Sequence, residues 1–251
     1  MPGRWMTFQT ESEPTCFMPF GQKLFPALYI RRINRFVVVV EIEGRQELAH
    51  LHDPGRLKEI LIPGTRLFLT KVSRSGRKTP FTATLADCDT TLVSINSTLP
   101  NRFVEFCLNG NYLYEFRDFS LVRREVPFDH SRLDFHLIGA GVDILLEVKS
   151  VTLVENRSAY FPDAPTSRGV KHVRELIAAA HRGFCGTIFF LVQRDDADVL
   201  YPNRDIDPLF ADQLNFAYSR GIEIIAYTSH LSMQGISLGR RIPVRMEPPV
   251  K

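Results

Sequence analysis

Asp134, Glu147 and Lys149 are the residues whose types and spacing best suit chemistry. Twelve residues separate the two acids, and one separates Glu147 from Lys149. All three lie in SRLDFHLIGAGVDILLEVKS, residues 131–150, which reads as two β-strands joined by a Gly139-Ala140-Gly141 turn. Side chains alternate along a strand, so Glu147 and Lys149 share one face and Val148 takes the other. A hairpin paired about its turn brings Asp134 beside them. Two carboxylates and an ammonium then meet at one spot. Mg²⁺ prefers hard oxygen ligands, usually one or two carboxylates with water and a substrate phosphate. Such a cation polarises phosphorus and acidifies a bound water, and a nearby Lys can orient that water or balance the developing charge. The chemistry expected is metal-assisted hydrolysis of a phosphodiester.

The spacing by itself is loose, and Glu-Val-Lys at a strand edge is equally a pair of solvated charges. The pattern nonetheless resembles the PD-(D/E)xK nuclease core, with Asp134 as first acid, Glu147 as second and Lys149 as the lysine. On that resemblance Asp134 and Glu147 would hold Mg²⁺, with Mn²⁺ as a substitute. Glu105, on the helix that precedes the hairpin, is a weaker candidate for a further acid.

The rest of the chain must position these groups. Its 251 residues allow one large or two small domains. A hydrophobic content of 44% with 24% charged residues is that of a soluble globular protein, and no apolar run of membrane-spanning length occurs. No signal-peptide core is visible near the start, so a cytoplasmic location is expected. Cys16, Cys88, Cys107 and Cys185 are isolated, with no CxxC pair. Reduced structural cysteines are expected, not a zinc site.

The net charge of +3 is unevenly distributed. Residues 20–98 carry twelve Lys or Arg against seven Asp or Glu, while residues 99–251 carry eighteen against nineteen. The basic first part reads as short strands and turns: Phe36–Glu43, Glu47–Leu51, Thr65–Val72, Phe81–Asp87 and Thr90–Asn96. About five short strands in this length predict a Greek-key barrel of OB type. Such barrels bind oligonucleotides with basic and aromatic side chains. Arg31, Arg32, Arg35, Lys71, Arg74, Arg77 and Lys78 are the candidates for phosphate contact, although a loop such as Ser-Arg-Ser-Gly-Arg-Lys would look the same on any exposed hairpin. His50 and His52 flank a turn and carry no assigned role.

The second part alternates. Helices are expected over Leu99–Gly110, from about Val170 to Gly183, and over Asp207–Arg220. Strands are expected at Leu121–Phe128, in the hairpin, at Ala159–Pro162, at the apolar Thr187–Gln193, and last at Ile222–Tyr227. Two strand–helix–strand crossovers after a hairpin make a mixed sheet flanked by helices. The fold class expected is therefore α+β or α/β: an N-terminal OB-like β-barrel, then a mixed-sheet, nuclease-like α/β domain. The divisions are a 1–19 extension without fixed structure, 20–98, 99–232, and a loosely held tail over 233–251.

Two blocks carry a more specific resemblance. EVKSVTLVENRSAYFPDAPTSRGVKHVRELIAAA (147–180) and AHLHDPGRLKEILIPG (49–64), with FLVQR at 190–194, are similar to the sugar fermentation stimulation protein A family. The resemblance spans roughly residues 20 to 232. It implies an OB-like domain, a PD-(D/E)xK-type domain, DNA binding and a regulatory link to sugar (maltose) metabolism. Within FPDAPTxRGxKH it implies support of a phosphate site by Asp163, Thr166, Arg168, Lys171 and His172, where a helix begins. Gln193, at a strand end, is expected near the metal. Helix capping for Asp163 and a buried hydrogen bond for Gln193 are the structural alternatives.

Three functions remain open. The first is a Mg²⁺-dependent nuclease acting on nucleic acid, DNA favoured and possible as a homodimer. The second is a non-catalytic DNA-binding regulator that keeps a nuclease fold. The third, suggested only by the family's name, is an enzyme of a small sugar or nucleotide.

Overall fold

The computed structural model describes residues 16–72, 78–139 and 141–247. Strand β1 (Phe17–Pro19) is followed by β2 (Leu24–Asn34), β3 (Val37–Ile42), β4 (Arg45–Leu51), β5 (Arg66–Lys71), β6 (Phe81–Cys88) and β7 (Thr91–Ser94). β2 pairs antiparallel with β3 and β5, β3 with β4, and β5 with β6. A short parallel pairing of β4 with β6, from Ala49↔Phe81 to Leu51↔Ala83, closes the ring. The result is a closed five-strand barrel in the order β2-β3-β4-β6-β5, the OB arrangement expected, with β7 added on β6. Its interior is filled by Val38, Val40, Ala49, Leu51, Leu67 and Leu69, among others.

Helix α1 (Leu99–Asn109) follows, with Pro100 in its first turn. Its missing N–H is no loss at a helix start. Then come β8 (Phe119–Phe128), β9 (Ser131–Gly139), β10 (Val142–Val151), β11 (Val154–Glu155), β12 (Ser158–Phe161), α2 (Ser167–Ala180), β13 (Cys185–Val192), β14 (Val199–Pro202), α3 (Pro208–Ser219), β15 (Glu223–Leu231) and β16 (Gly235–Ile242). Seven strands form one mixed sheet, β1-β16-β15-β13-β10-β9-β8, and β11-β12-β14 form a small second one. β10, β13 and β15 run parallel, joined through α2 and α3. β13 reads CGTIFFLV because both of its faces are covered. Phe190 packs towards α2 and α3, and Phe189 towards α1. Each such fully buried Phe contributes roughly 1.5–3 kcal/mol.

The barrel and the sheet domain share a core: Leu24 and Leu85 of the barrel pack with Phe103 and Cys107 of α1 and with Val148 of β10. The four cysteines are unbridged, and the Cys16 and Cys107 sulfurs lie 3.2 Å apart in this core.

Two expectations about the chain's ends are corrected. Ile222–Tyr227 does not hold the last strand, and the chain is not loosely held after Gln234: β16 pairs antiparallel with β15. Residues 17–19 are not without structure either, since β1 pairs with β16. β16 is held by its ladder and by Ile236, Leu238 and Ile242, which pack into the cores of the sheet domain; the three-residue β1 is added on its edge.

Candidate active site

The β9–β10 ladder sets the site. Its register runs from Val142↔Gly139 to Leu146↔Phe135 and then stops. The next positions along are Glu147 and Asp134, so the spacing does place them level with each other. There the strands splay, and the Asp134 side chain takes the place of the ladder: Oδ2 accepts from the Val148 N–H at 2.8 Å. Oδ1 accepts from the Asn101 amide of α1 at 2.6 Å. Burial, then the neighbouring Glu147 charge, pushes the Asp134 carboxyl up to about 7; its two hydrogen bonds and Lys149 only partly offset this.

Glu147 and Lys149 do share a face, the one covered by α2. Both are buried, at 3% and 9% exposed. Lys149 Nζ donates to Glu147 Oε1 at 2.6 Å. His172 of α2, 3% exposed, closes the group: its Nδ1 meets the same Glu147 oxygen and lies 3.3 Å from Lys149 Nζ. Burial opposes ionisation of Glu147, but the Lys149 ammonium and His172 outweigh it and hold the carboxyl below its ordinary range. Glu147 Oε2 is buried with no hydrogen-bond partner.

A buried acceptor without a donor is costly. Here it sits beside a second carboxyl whose ionisation burial opposes. That donor set fits a hard divalent cation, whose charge would satisfy both groups; Asp134 and Glu147 are the residues that would hold it. Among the described residues no cluster of three His, Cys, Asp or Glu offers a fuller protein cage. The remaining ligands would be water and phosphate, as is usual for Mg²⁺.

A cleft of about 760 Å³ opens beside the trio, lined by His130, Arg132, Ser167, Arg168, Lys171 and His172, with Glu125 and Ser131. Arg168 Nε reaches His172 Nε2 at 3.4 Å, and Lys171 Nζ donates to the His130 carbonyl. Thr166 is the α2 N-cap, accepting from the Gly169 N–H at 3.0 Å. Arg168, Lys171 and His172 thus line this cleft together.

Other expected site residues lie elsewhere. Asp163 faces the barrel: its Oδ2 accepts from the Arg56 N–H at 2.8 Å. A Cβ on Gly55 would come within 2.3 Å of that oxygen, so the turn needs glycine for close approach. Gln193 sits on the opposite face of the sheet from the trio. Its side-chain amide N–H donates to Ser150 Oγ at 2.8 Å, its backbone carbonyl accepts from the Ser94 N–H and so joins sheet to barrel, and its Oε1 is buried without a partner. Glu105 pairs with Arg124 at 2.9 Å, away from Asp134. Asn101, one helical turn earlier, occupies the place where Glu105 was sought. Its position at i−4 from Glu105, at the α1 start, is the signal that would have found it.

In the barrel, Arg31, Arg35, Lys71 and Lys78 are exposed. Arg74 and Arg77 lie outside the described residues. Arg32 is not available to a phosphate: its guanidinium donates to the carbonyls of Asn34, Arg35, Asp53, Gly55 and Arg56. Those five acceptors match the five N–H groups of the side chain.

Comparison with known proteins agrees with this architecture. Residues 30–95 match the SfsA N-terminal OB domain, and residues 98–235 match the sugar fermentation stimulation protein RE domain. The sugar fermentation stimulation protein homolog of Acetivibrio thermocellus is 41% identical over 225 residues, covering 88% of this chain and 97% of its own length. That of Moorella thermoacetica is 42% identical over 225 residues, covering 89% and 97%. The SfsA structure of Pyrococcus furiosus, solved in complex with Ca²⁺, superposes with a TM-score of 0.84 at 30% identity over 91% of this chain and 99% of that one. The chain belongs to the sugar fermentation stimulation protein family.

Proposed function

We propose that this chain is a cytoplasmic, divalent-metal-dependent nuclease that hydrolyses phosphodiesters of nucleic acid, DNA favoured, with Mg²⁺ as the cation and Mn²⁺ as a substitute. The observation that carries this reading is Glu147, a buried, ionised carboxylate with one oxygen unpartnered, level with Asp134. A solved relative in complex with Ca²⁺ supports a hard-cation site in the family. When bound, the cation supplies Lewis acidity towards phosphorus and a more acidic water.

The chain's own residues do the rest. Asp134 is fixed by Asn101 and by the Val148 N–H, so its carboxyl is aimed before any ligand arrives. Lys149 is held by Glu147 and His172 and can donate to an attacking water or to a phosphoryl oxygen. Preorganised donors of this kind act where charge develops. Arg132, Arg168 and Lys171 line the adjoining cleft and suit the flanking phosphates.

The test is cleavage of labelled single- and double-stranded DNA and RNA with Mg²⁺, with Mn²⁺ and with EDTA, for wild type beside Lys149→Ala. Cutting should require the metal and should fall by about 10²–10³-fold in the variant. Binding without cutting on every substrate would overturn the reading in favour of a DNA-binding regulator with a silent site.

A further inference from the structure

We propose that Phe36, His50 and His52 form a base-stacking platform, and that the nucleic acid delivered to the Asp134–Glu147–Lys149 site is single-stranded. This rests on the nucleic-acid reading above and adds which form of nucleic acid is taken.

Phe36 lies in the turn between the first two barrel strands, and His50 lies on the third. Their rings stack with centroids 6.4 Å apart and planes 18° apart. The His52 ring meets His50 edge-on at 4.5 Å. The Arg35 guanidinium stands 5.8 Å from the centroid of the Phe36 ring. Phe36 remains 44% exposed, so this ring has not been taken into the barrel core. Strands two and three of an OB barrel, with the loop joining strands one and two, form the face that takes oligonucleotides.

The charge around the rings is sorted. Arg31 and Arg35 are exposed at the Phe36 end of the β2–β3 hairpin. The acids Glu41, Glu43 and Glu47 gather at the opposite end of β3 and β4, where Glu41 pairs with Gln46 and Val40 with Glu47. An anionic backbone is therefore drawn to the ring end.

The platform also leads to the site. The His52 carbonyl accepts from Ser97 Oγ at 2.8 Å. Ser97 lies just before α1, and α1 carries the Asn101 amide that holds Asp134. The turn after His52 is clasped by Asp163, at the head of the loop that enters α2 and its cleft. The segment that carries the rings is thus tied to the sheet domain through Ser97 on one side and Asp163 on the other.

Stacking on an aromatic side chain needs the open face of a base. Every base has one, so the contact tolerates any sequence. In a duplex those faces are covered by neighbouring base pairs and only edges and phosphates are presented. A ring ladder with arginines beside it therefore selects unpaired strands.

The experiment is fluorescence anisotropy in EDTA with a labelled single-stranded DNA, the RNA of the same sequence, and the DNA duplex. Wild type should bind at least one of the single strands more tightly than the duplex; whichever is tighter assigns DNA or RNA. The Phe36→Ala, His50→Ala double variant should lose at least tenfold on that strand and change little on the duplex. Phe36→Tyr should retain binding, which separates stacking from loss of fold. Equal affinity for strand and duplex, or an unaffected double variant, overturns the platform. Because no metal is present, this result is independent of cutting. A platform that binds in a protein that never cuts would sink the nuclease reading alone; a protein that cuts but is indifferent to both rings would sink the platform alone.

Discussion

The charged groups of the barrel that could meet a phosphate and those of the candidate site sit in opposite environments. In the barrel, Arg31, Arg35, Lys71 and Lys78 stand in solvent. In the sheet domain, Glu147, Lys149 and His172 are packed under α2 and answer one another. Solvated charges are cheap to keep and act at a distance through the field they sum to. Buried ones carry a desolvation cost that a pair of apolar residues would avoid. A fold that keeps a carboxylate and an ammonium buried side by side, with an oxygen left unpartnered, is maintaining a chemical arrangement at the expense of stability. Arg32 is the exception that clarifies the contrast: it belongs to the basic run by sequence, yet it serves as a backbone clamp.

Three experiments break or sharpen that contrast. The largest effect is expected for Glu147→Ala, which leaves the Lys149 ammonium buried with His172 alone. Metal-dependent cutting should fall about a thousandfold or more, and stability should drop by about 3 kcal/mol in urea unfolding, while affinity for nucleic acid in EDTA is unchanged. Undiminished cutting would remove Glu147 from the site.

Next, Arg32→Ala should cost about 2–3 kcal/mol, since carbonyls around the 52–56 turn lose their donors. Arg35→Ala, a solvated neighbour, should cost less than about 0.5 kcal/mol. Equal costs in the same urea unfolding would erase the distinction between clamp and surface charge.

The third concerns Asp53, a buried carboxyl in the barrel. Burial, reinforced by the neighbouring Asp163, pushes it up to about 6 from an ordinary 3.8, although the Gly55 N–H pulls the other way. The folded chain thus holds this proton more tightly than the unfolded one. Its contribution to stability falls as pH rises from about 4 to about 6, and the cost is complete above that. Asp53→Asn keeps the acceptor for Gly55 and is neutral throughout. It should exceed wild type by about 3 kcal/mol at pH 8, with the gap closing by pH 4. A gap that does not change with pH would mean that Asp53 keeps its ordinary titration.

Much of this was legible in the sequence. The Asp134/Glu147/Lys149 grouping follows from strand alternation and a turn, both local. The barrel follows from strand number and spacing, and the crossovers from the change in hydrophobic period. What was not legible depends on partners distant in the chain. Gln193 ends the expected strand, but its face is fixed only by the in-register pairing of β10 with β13, which sets it with Ser150 and not with Lys149. Asp163 looks like a helix-start acid, and its real partner lies 107 positions away. Arg31, Arg32 and Arg35 look alike until the 52–56 turn folds over one of them. β16 carries Ile236 and Leu238 at strand spacing, but the Gly239-Arg240-Arg241 run that follows interrupts the pattern before Ile242.

Strand β1 has a further consequence, for solubility. A sheet edge exposes unpaired N–H and C=O groups that another chain can adopt. At one edge of the seven-strand sheet, β1 lies over β16 through Phe17↔Ser237 and Pro19↔Gly235, and it is three residues long and ends in a proline. The other edge is β8, where Arg123 and Arg124 are exposed and the pairing shifts between Leu121 and Arg123. Short length, proline, like charge and a bulge are the devices that discourage strand addition. The sheet is therefore guarded at both ends against templated aggregation, and trimming the chain through Pro19 would unguard one of them.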